Sequence, residues 1–188
     1  MTPETPHSGE GLALDFVNTA PVIGGVRHDF LADARGLSAW LELAGIAEAD
    51  AAFDADALSA LHRLRTTASA CLEAAMAGAD MPDAALAEIN AAAAAAPRRS
   101  EVVRGPARQL RKEIRRLGSP AEQVTSQIAE AVLDLLVDPA LPRLKACAAP
   151  DCVVLFVPLS AKRVWCSPQR CGNRMRVSRY YHRHKAAE

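Results

Sequence analysis

Apolar residues recur along the chain at helical spacing in four places. Leu37, Trp40, Leu41 and Ala44 fall at i, i+3, i+4 and i+7, which predicts a helix over 31–44 with Gly45 as its stop. Asp54 or Asp56 caps a second helix whose face is Leu58, Leu61, Leu64, Ala68, Cys71, Leu72 and Ala75, ending at Gly78. A third starts after Pro82 and runs through Leu86, Ile89 and an alanine block to Pro97; alanine is the best helix former, so this stretch reads as a smooth helix surface. Ser119-Pro120 opens a fourth, with Val124, Ile128, Val132, Leu135 and Leu136 on one stripe, closed by Asp138-Pro139.

Two stretches carry a weaker pattern. Residues 11–19, GLALDFVNT, alternate loosely and read as a short strand, followed by a turn at Pro21, Gly24 and Gly25. Residues 98–120 are rich in Arg and broken by Gly105-Pro106; the expectation is a solvated helix face from Ala107 to Leu117, with a second nucleic-acid contact as the lesser reading. The fold class expected is mainly α, with a short strand or hairpin at the start. A module boundary near Pro139–Pro142 divides a helical part, 1–140, from a small tail, 141–188.

Composition supports this picture. A chain of 188 residues suits one mid-sized domain, or one domain with a small appendage. Aromatics are only 4%, so the core is built from Leu, Val, Ile and Ala, which favours close-packed helices over a β-sandwich. No run of 18 apolar residues occurs and no signal-peptide pattern is visible, so the expected location is the cytoplasm, where thiols stay reduced.

Zero net charge conceals a division. Residues 141–188 hold ten basic side chains against two acidic ones, Asp151 and Glu188, giving the tail +8 and the remainder −8. Four thiolates around Zn²⁺ would leave the tail at about +6. Such asymmetry points to two modules with different partners.

Four of the five cysteines form C-x4-C-x13-C-x4-C: Cys147, Cys152, Cys166 and Cys171. Two short-spaced pairs separated by a small hairpin, with Val153–Val157 folding back on Ala161–Trp165, supply a tetrahedral site for one structural Zn²⁺. Buried thiols, a redox pair, or replacement of one ligand by His182 or His184 are the weaker readings. Four thiolates close the shell, which argues against a catalytic metal. So few large apolar side chains would not fold the tail without the metal, so chelation is expected to melt it and leave the helical part intact. Cys71, on a helix face, reads as core.

After the last cysteine a basic segment runs to Lys185. As a helix it gathers Arg176, Arg179, Tyr180 and Arg183 on one face suited to phosphates, while Met175, Val177 and Tyr181 pack back on the finger. Asn173 is expected to bond turn backbone near the metal.

Cys166-Ser167-Pro168-Gln169-Arg170-Cys171-Gly172-Asn173-Arg174, preceded by Arg163-Val164-Trp165, resembles the signature of the CGNR zinc-finger family. Members of that family join the finger to an N-terminal ABATE domain and are described as candidate stress-induced transcription regulators. Leu14-Asp15-Phe16-Val17-Asn18-Thr19, and Leu37-x-x-Trp40-Leu41 with Gly45, resemble the opening of that domain. The resemblance implies a treble-clef-like finger with a β-hairpin and a helix, held by the four cysteines. It also implies that Arg174 and the basic residues after it face DNA; Arg176, Arg179, Tyr180, Arg183 and Lys185, with Lys162, Arg163 and Arg170 beside them, make up that candidate surface. This chain departs from the pattern where Pro158 stands in place of an acidic residue.

Asp15 and Asn18 are candidates for a ligand pocket, although local backbone bonding explains them more simply. The expected function is transcription regulation through zinc-dependent DNA binding, with the acidic helical part dimerising or sensing an effector. An adaptor docking an acidic protein is the alternative, RNA binding a third, and zinc release on oxidation a switch compatible with each. No paired carboxylates, phosphate loop or nucleophile motif suggests an enzyme, and His7, His28 and His62 are scattered.

Overall fold

The computed structural model describes residues 9–23, 26–46, 52–150 and 152–185, without the side chains of Ile23, His182, Arg183, His184 and Lys185. The elements are α1 (Leu12–Val17), β1 (Val22–Ile23), β2 (Val26–Arg27), α2 (Ala34–Leu43), α3 (Ala55–Ala77), α4 (Asp83–Ala94), β3 (Arg98–Arg104), β4 (Leu110–Arg116), α5 (Pro120–Leu136), β5 (Lys145–Ala146), β6 (Leu155–Phe156) and α6 (Asn173–Lys185). The strands form three separate antiparallel pairs, β1–β2, β3–β4 and β5–β6. The protein is mainly helical, as its apolar spacing requires. The turn expected at Gly24 and Gly25 lies outside the described residues.

Local chemistry sets the helix ends. Asp33 and Asp54 accept backbone N–H bonds from Gly36 (2.7 Å) and Ala57 (2.8 Å) at the starts of α2 and α3. Ser119 and Glu122 make a reciprocal capping box on α5, with Pro120 in the first turn. At the other end of α3, Gly78 takes φ +65°, a left-handed cap that a side chain would strain.

The buried face of α3 (Leu61, Leu64, Ala68, Cys71) packs against Val124, Ile128, Ala129 and Val132 of α5, and Phe16 of α1 meets Trp40 of α2 at 5.7 Å between ring centroids. Cys71 is fully buried in this core, as expected, and burial pushes its thiol pKa up. His62 bonds the Leu31 carbonyl at 2.7 Å, an ordinary structural role.

Two expectations are corrected here. Residues 12–17 form a helix, not a strand. Ala13, Leu14, Asp15 and Phe16 are buried in succession, and only a helical turn sends Phe16 into the main core and Leu14 into a second cluster with Leu72, Leu141, Leu144 and Leu155. A short apolar run does not separate helix from buried strand by period alone.

The second correction replaces the expected helix at 107–117 with the hairpin β3–β4, in register from Arg98↔Arg116 to Arg104↔Leu110. Gly105 N–H bonds Gln109 O, Arg108 N–H bonds Gly105 O, and Arg108 adopts φ +60° in the turn. Helical spacing would bring Arg108, Arg111, Lys112, Arg115 and Arg116 together. The strands instead alternate Arg with Glu, so Arg115 reaches both Glu101 (2.6 Å) and Glu113 (3.0 Å).

Glu130 of α5 anchors the hairpin by pairing with both Arg98 and Arg116, one at the outer end of each strand. Arg116 also donates to Ser126 Oγ (2.9 Å) and Ala96 O (3.3 Å), and Ser126 Oγ donates to Ala93 O (2.6 Å).

Helical body and finger share the second leucine cluster, and two polar contacts join them. The Asn18 carboxamide donates to Leu155 O (2.9 Å) and accepts from Leu155 N–H (2.8 Å), so a side chain completes the free edge of β6. Glu10 takes the Arg163 guanidinium at 2.5 Å and accepts from Val157 N–H at 3.3 Å. The expectation that the finger melts alone is therefore revised, since unfolding it would bare Leu14 and Leu72 on the body.

Two predictions follow from these anchors. Bonds from Arg116 hold the Glu130 carboxyl below its usual pKa of 4.5, against the opposing effect of burial. An unfolded chain takes up that proton near pH 4.5 and the folded chain only at lower pH, so the contribution is complete above 4.5 and fades below it. Glu130→Gln should cost about 1–3 kcal/mol at pH 7 by urea denaturation, with the gap to the parent protein narrowing in acid; a gap unchanged from pH 7 to pH 3 would refute the linkage. Asn18→Ala strands two buried backbone groups of Leu155 and should cost about 2–4 kcal/mol. Parent-like stability of that variant would show that the bridge contributes nothing.

Candidate metal centre and basic helix

The metal ligands come from two turns brought together by backbone bonding. Cys147 N–H bonds Val154 O (2.9 Å) and Cys152 N–H bonds Ala149 O (3.2 Å), a knuckle closed by the β5–β6 pair. Its hairpin is therefore Lys145–Ala146 with Leu155–Phe156. The expected fold-back of Val153–Val157 on Ala161–Trp165 is replaced by a single bond from Ala148 N–H to Val164 O (3.0 Å).

The second pair sits on a wide turn, Pro168–Gly172, entered through Ser167 and closed by Gly172 N–H on Ser167 O at 2.9 Å. Gly172 is closely fitted: an added Cβ would stand 3.3 Å from Trp165 Cδ1, so the indole would have to give by a few tenths of an ångström, and 3.4 Å from Ser167 O. The backbone therefore passes tightly round the last cysteine into α6.

All four Sγ atoms lie within 4.8 Å of one another, with Cys152–Cys166 at 3.9 Å and Cys166–Cys171 at 3.6 Å. A tetrahedron with Zn–S near 2.3 Å has edges of about 3.8 Å, which these spacings match. Without a cation the four sulfurs do not ionise together. A hydrogen bond from Cys166 holds Cys152 down to about 5, whereas its Cys152 neighbour and burial push Cys166 up and burial takes Cys171 to about 11. Zn²⁺ stabilises all four as thiolates. Cys147 accepts a bond from Cys166 N–H at 3.3 Å, and the Arg174 guanidinium lies 3.9 Å from Cys171 Sγ. Cys147, Cys152, Cys166 and Cys171 hold one structural zinc ion, and no open coordination position remains for a substrate.

The structure divides the candidate DNA-facing residues. Arg163 is the clearest correction: its guanidinium serves Glu10, Trp165 O (3.1 Å) and Cys166 O (2.6 Å) and lies 4.5 Å over the Phe156 ring. It welds the finger together. Arg174 bonds Pro150 O at 3.0 Å, bridging the two ligand turns, so its first task is also internal. Arg176 and Tyr180 stand exposed one helical turn apart, Arg179 leans over Trp165 at 5.6 Å, and Lys162 and Arg170 are exposed near the metal loops. The side chains of Arg183 and Lys185 lie outside the described residues.

Met175 packs against the metal cluster as expected, whereas Val177 (47% exposed) and Tyr181 (68%) face outward. Beyond its first turn α6 has little of the finger to cover. Tyr181, which the sequence reading assigned inward, joins Tyr180 in an edge-to-face pair at 6.1 Å. Asn173 opens α6 exposed, with no side-chain hydrogen bond among the described residues.

Asp15 and Asn18, the candidate pocket residues, are both buried, and the carboxamide of Asn18 is committed to Leu155. Asn18 lines one edge of an open cleft of about 690 Å³, with Arg27, Ser69, Glu73 and Met76 on the body and Cys152 and Val153 on the finger. Sequence reasoning missed the contact roles of Glu10 and Asn18, because each partner lies more than 130 residues away. It also missed Asp29, whose carboxylate grips Arg65 at 2.5 Å while Arg65 reaches Thr19 at 2.9 Å.

No helix among the described residues is long and apolar enough to cross a membrane. No curated protein matches the chain at a significant level. Residues 143–184 match the family model described as "CGNR zinc finger", and residues 10–139 match ABATE, described as "Putative stress-induced transcription regulator". Neither is an enzyme family. The chain belongs to the ABATE family and carries a C-terminal CGNR zinc finger.

Proposed function

We propose that this protein is a transcription regulator that binds duplex DNA through its zinc finger and the outer face of α6. The observation that carries this reading is the exposed surface of Arg176, Val177, Tyr180 and Tyr181, on a helix whose first turn is fixed by a structural zinc site. Guanidinium groups suit phosphate oxygens, and tyrosines contact sugars and base edges at small entropic cost. Lys162 and Arg170 extend the positive surface along the metal loops. The family descriptions point the same way.

In this reading the zinc ion has a structural part, fixing where α6 begins. Arg163 and Arg174 brace the finger, while Arg176, Arg179 and Tyr180 meet the duplex. The acidic body, through Asn18 and Glu10, holds the finger at one orientation.

The test is titration of the zinc-loaded protein onto labelled duplex DNA at two salt concentrations, with and without chelator. Salt-sensitive binding that disappears on chelation is expected. Arg176→Ala should weaken it and reduce the salt slope by roughly 0.9 for the phosphate contact removed. Arg163→Ala should instead lower the melting temperature of the protein. No binding at low salt with zinc confirmed in place would overturn the reading and favour an adaptor docking an acidic protein.

A further inference from the structure

The β3–β4 hairpin stands outside all three core clusters, held at its base by Arg98 and Arg116. Its charges are sorted by face. In the observed register Arg99, Glu101, Val103, Arg111, Glu113 and Arg115 share one side. There the glutamates take up all three arginines, at 3.0 Å for Arg99–Glu101, 2.5 Å for Arg111–Glu113 and 2.6 Å for Arg115–Glu101.

The opposite side carries Ser100, Val102, Arg104, Leu110, Lys112 and Ile114, with Arg98 and Arg116 at its base turned to Glu130 of α5; beyond that base it holds no acidic residue. Arg104, Lys112 and the turn residue Arg108 have no ion-pair partner among the described residues. Between them Val102, Leu110 and Ile114 are 68%, 65% and 62% exposed. Placing both glutamates on one side thus leaves the turn half of the other with basic and exposed apolar residues facing each other across the strands, Val102 with Lys112 and Arg104 with Leu110.

We propose that the turn half of this side of the hairpin, beyond the Glu130 contact, is a second contact for duplex nucleic acid, which rests on reading the chain as a DNA binder. A two-stranded ribbon fits the major groove in width. Arg104, Arg108 and Lys112 meet phosphates on either side of the groove, and Val102, Leu110 and Ile114 lie against its sugar and base edges. Charge opposes face-to-face pairing with a second copy: stacking two such sides would bring their basic residues together. A polyanion neutralises them instead.

Four proteins, each full-length and zinc-loaded, are titrated by fluorescence anisotropy onto a labelled random-sequence duplex across a salt series: the parent, R104Q/R108Q/K112Q, R104K/R108K and R176Q/Y180A. The hairpin variant should bind roughly 10-fold or more weakly at low salt and lose about 2–3 from the salt slope, at 0.9 per phosphate. Circular dichroism and melting should match the parent, and R104K/R108K should retain most of the affinity. Parent-like affinity and slope in the hairpin variant, with the α6 variant weakened, would overturn this inference and leave the finger reading standing. No duplex binding by the parent at low salt would overturn both. A concentration-dependent dimer dissolved by Ile114→Asp, with DNA binding unaltered, would assign the hairpin to a second copy and overturn the proposal.

Discussion

Four sulfur atoms within 4.8 Å of one another do not all ionise without a cation among them, and the finger is built round that constraint. The knuckle at Cys147–Cys152 and the wide turn at Cys166–Cys171 are each closed by backbone bonds. What the metal adds is a link between two turns that share little apolar surface. Cys147, Val154, Phe156, Cys166 and Cys171 make a cluster too small to hold a fold by burial alone. Everything beyond Cys171, α6 included, takes its direction from that link.

The body does for the finger what a longer sequence might have done within it. Asn18 supplies a donor and an acceptor to β6, as a neighbouring strand would. Glu10 brings a carboxylate to Arg163 and Val157 N–H, next to Pro158 in the chain. With the shared leucines, these contacts make the finger a docked element. The −8 body and the +8 tail meet, among the described residues, in one ion pair, Glu10–Arg163.

Much of this was legible in the sequence. Helices α2 to α5 were marked by apolar spacing and by caps at Asp54, Gly78 and Ser119, since those signals are local. The zinc ligands were legible because four thiols in two short-spaced pairs match the ligand spacing of a structural zinc site. What was hidden depended on partners distant in sequence. The α1 segment reads as a strand until Leu14 and Phe16 are seen to bury on different sides. The hairpin reads as a solvated helix because charged residues outnumber apolar ones on both strands, and its order comes from the backbone ladder between the strands and from Glu130 at its base. Asn18, an unremarkable polar residue in the sequence, acquires its role only when Leu155 arrives 137 residues later.

The same contrast separates the arginines, which the sequence presents as one basic population. Position in the fold sorts them by what their charge is spent on. Arg65, Arg116 and Arg163 are 11%, 14% and 25% exposed, and each serves a carboxylate together with other oxygen acceptors, so their charge is consumed in holding elements together. Arg99, Arg111 and Arg115 are exposed but balanced by Glu101 and Glu113, and surface pairs of that kind contribute little to stability. Counting basic residues therefore overstates the positive surface available to a partner. Arg104, Arg108, Lys112 and Arg176 are different: among the described residues none has an ion-pair partner, and each stands beside exposed apolar or aromatic side chains. Solubility alone would not call for basic groups set among exposed Val102, Ile114, Val177 and Tyr180, because those neighbours work against it. On the proposed reading of the chain as a DNA binder, that combination suits a groove with charged walls and a less polar floor.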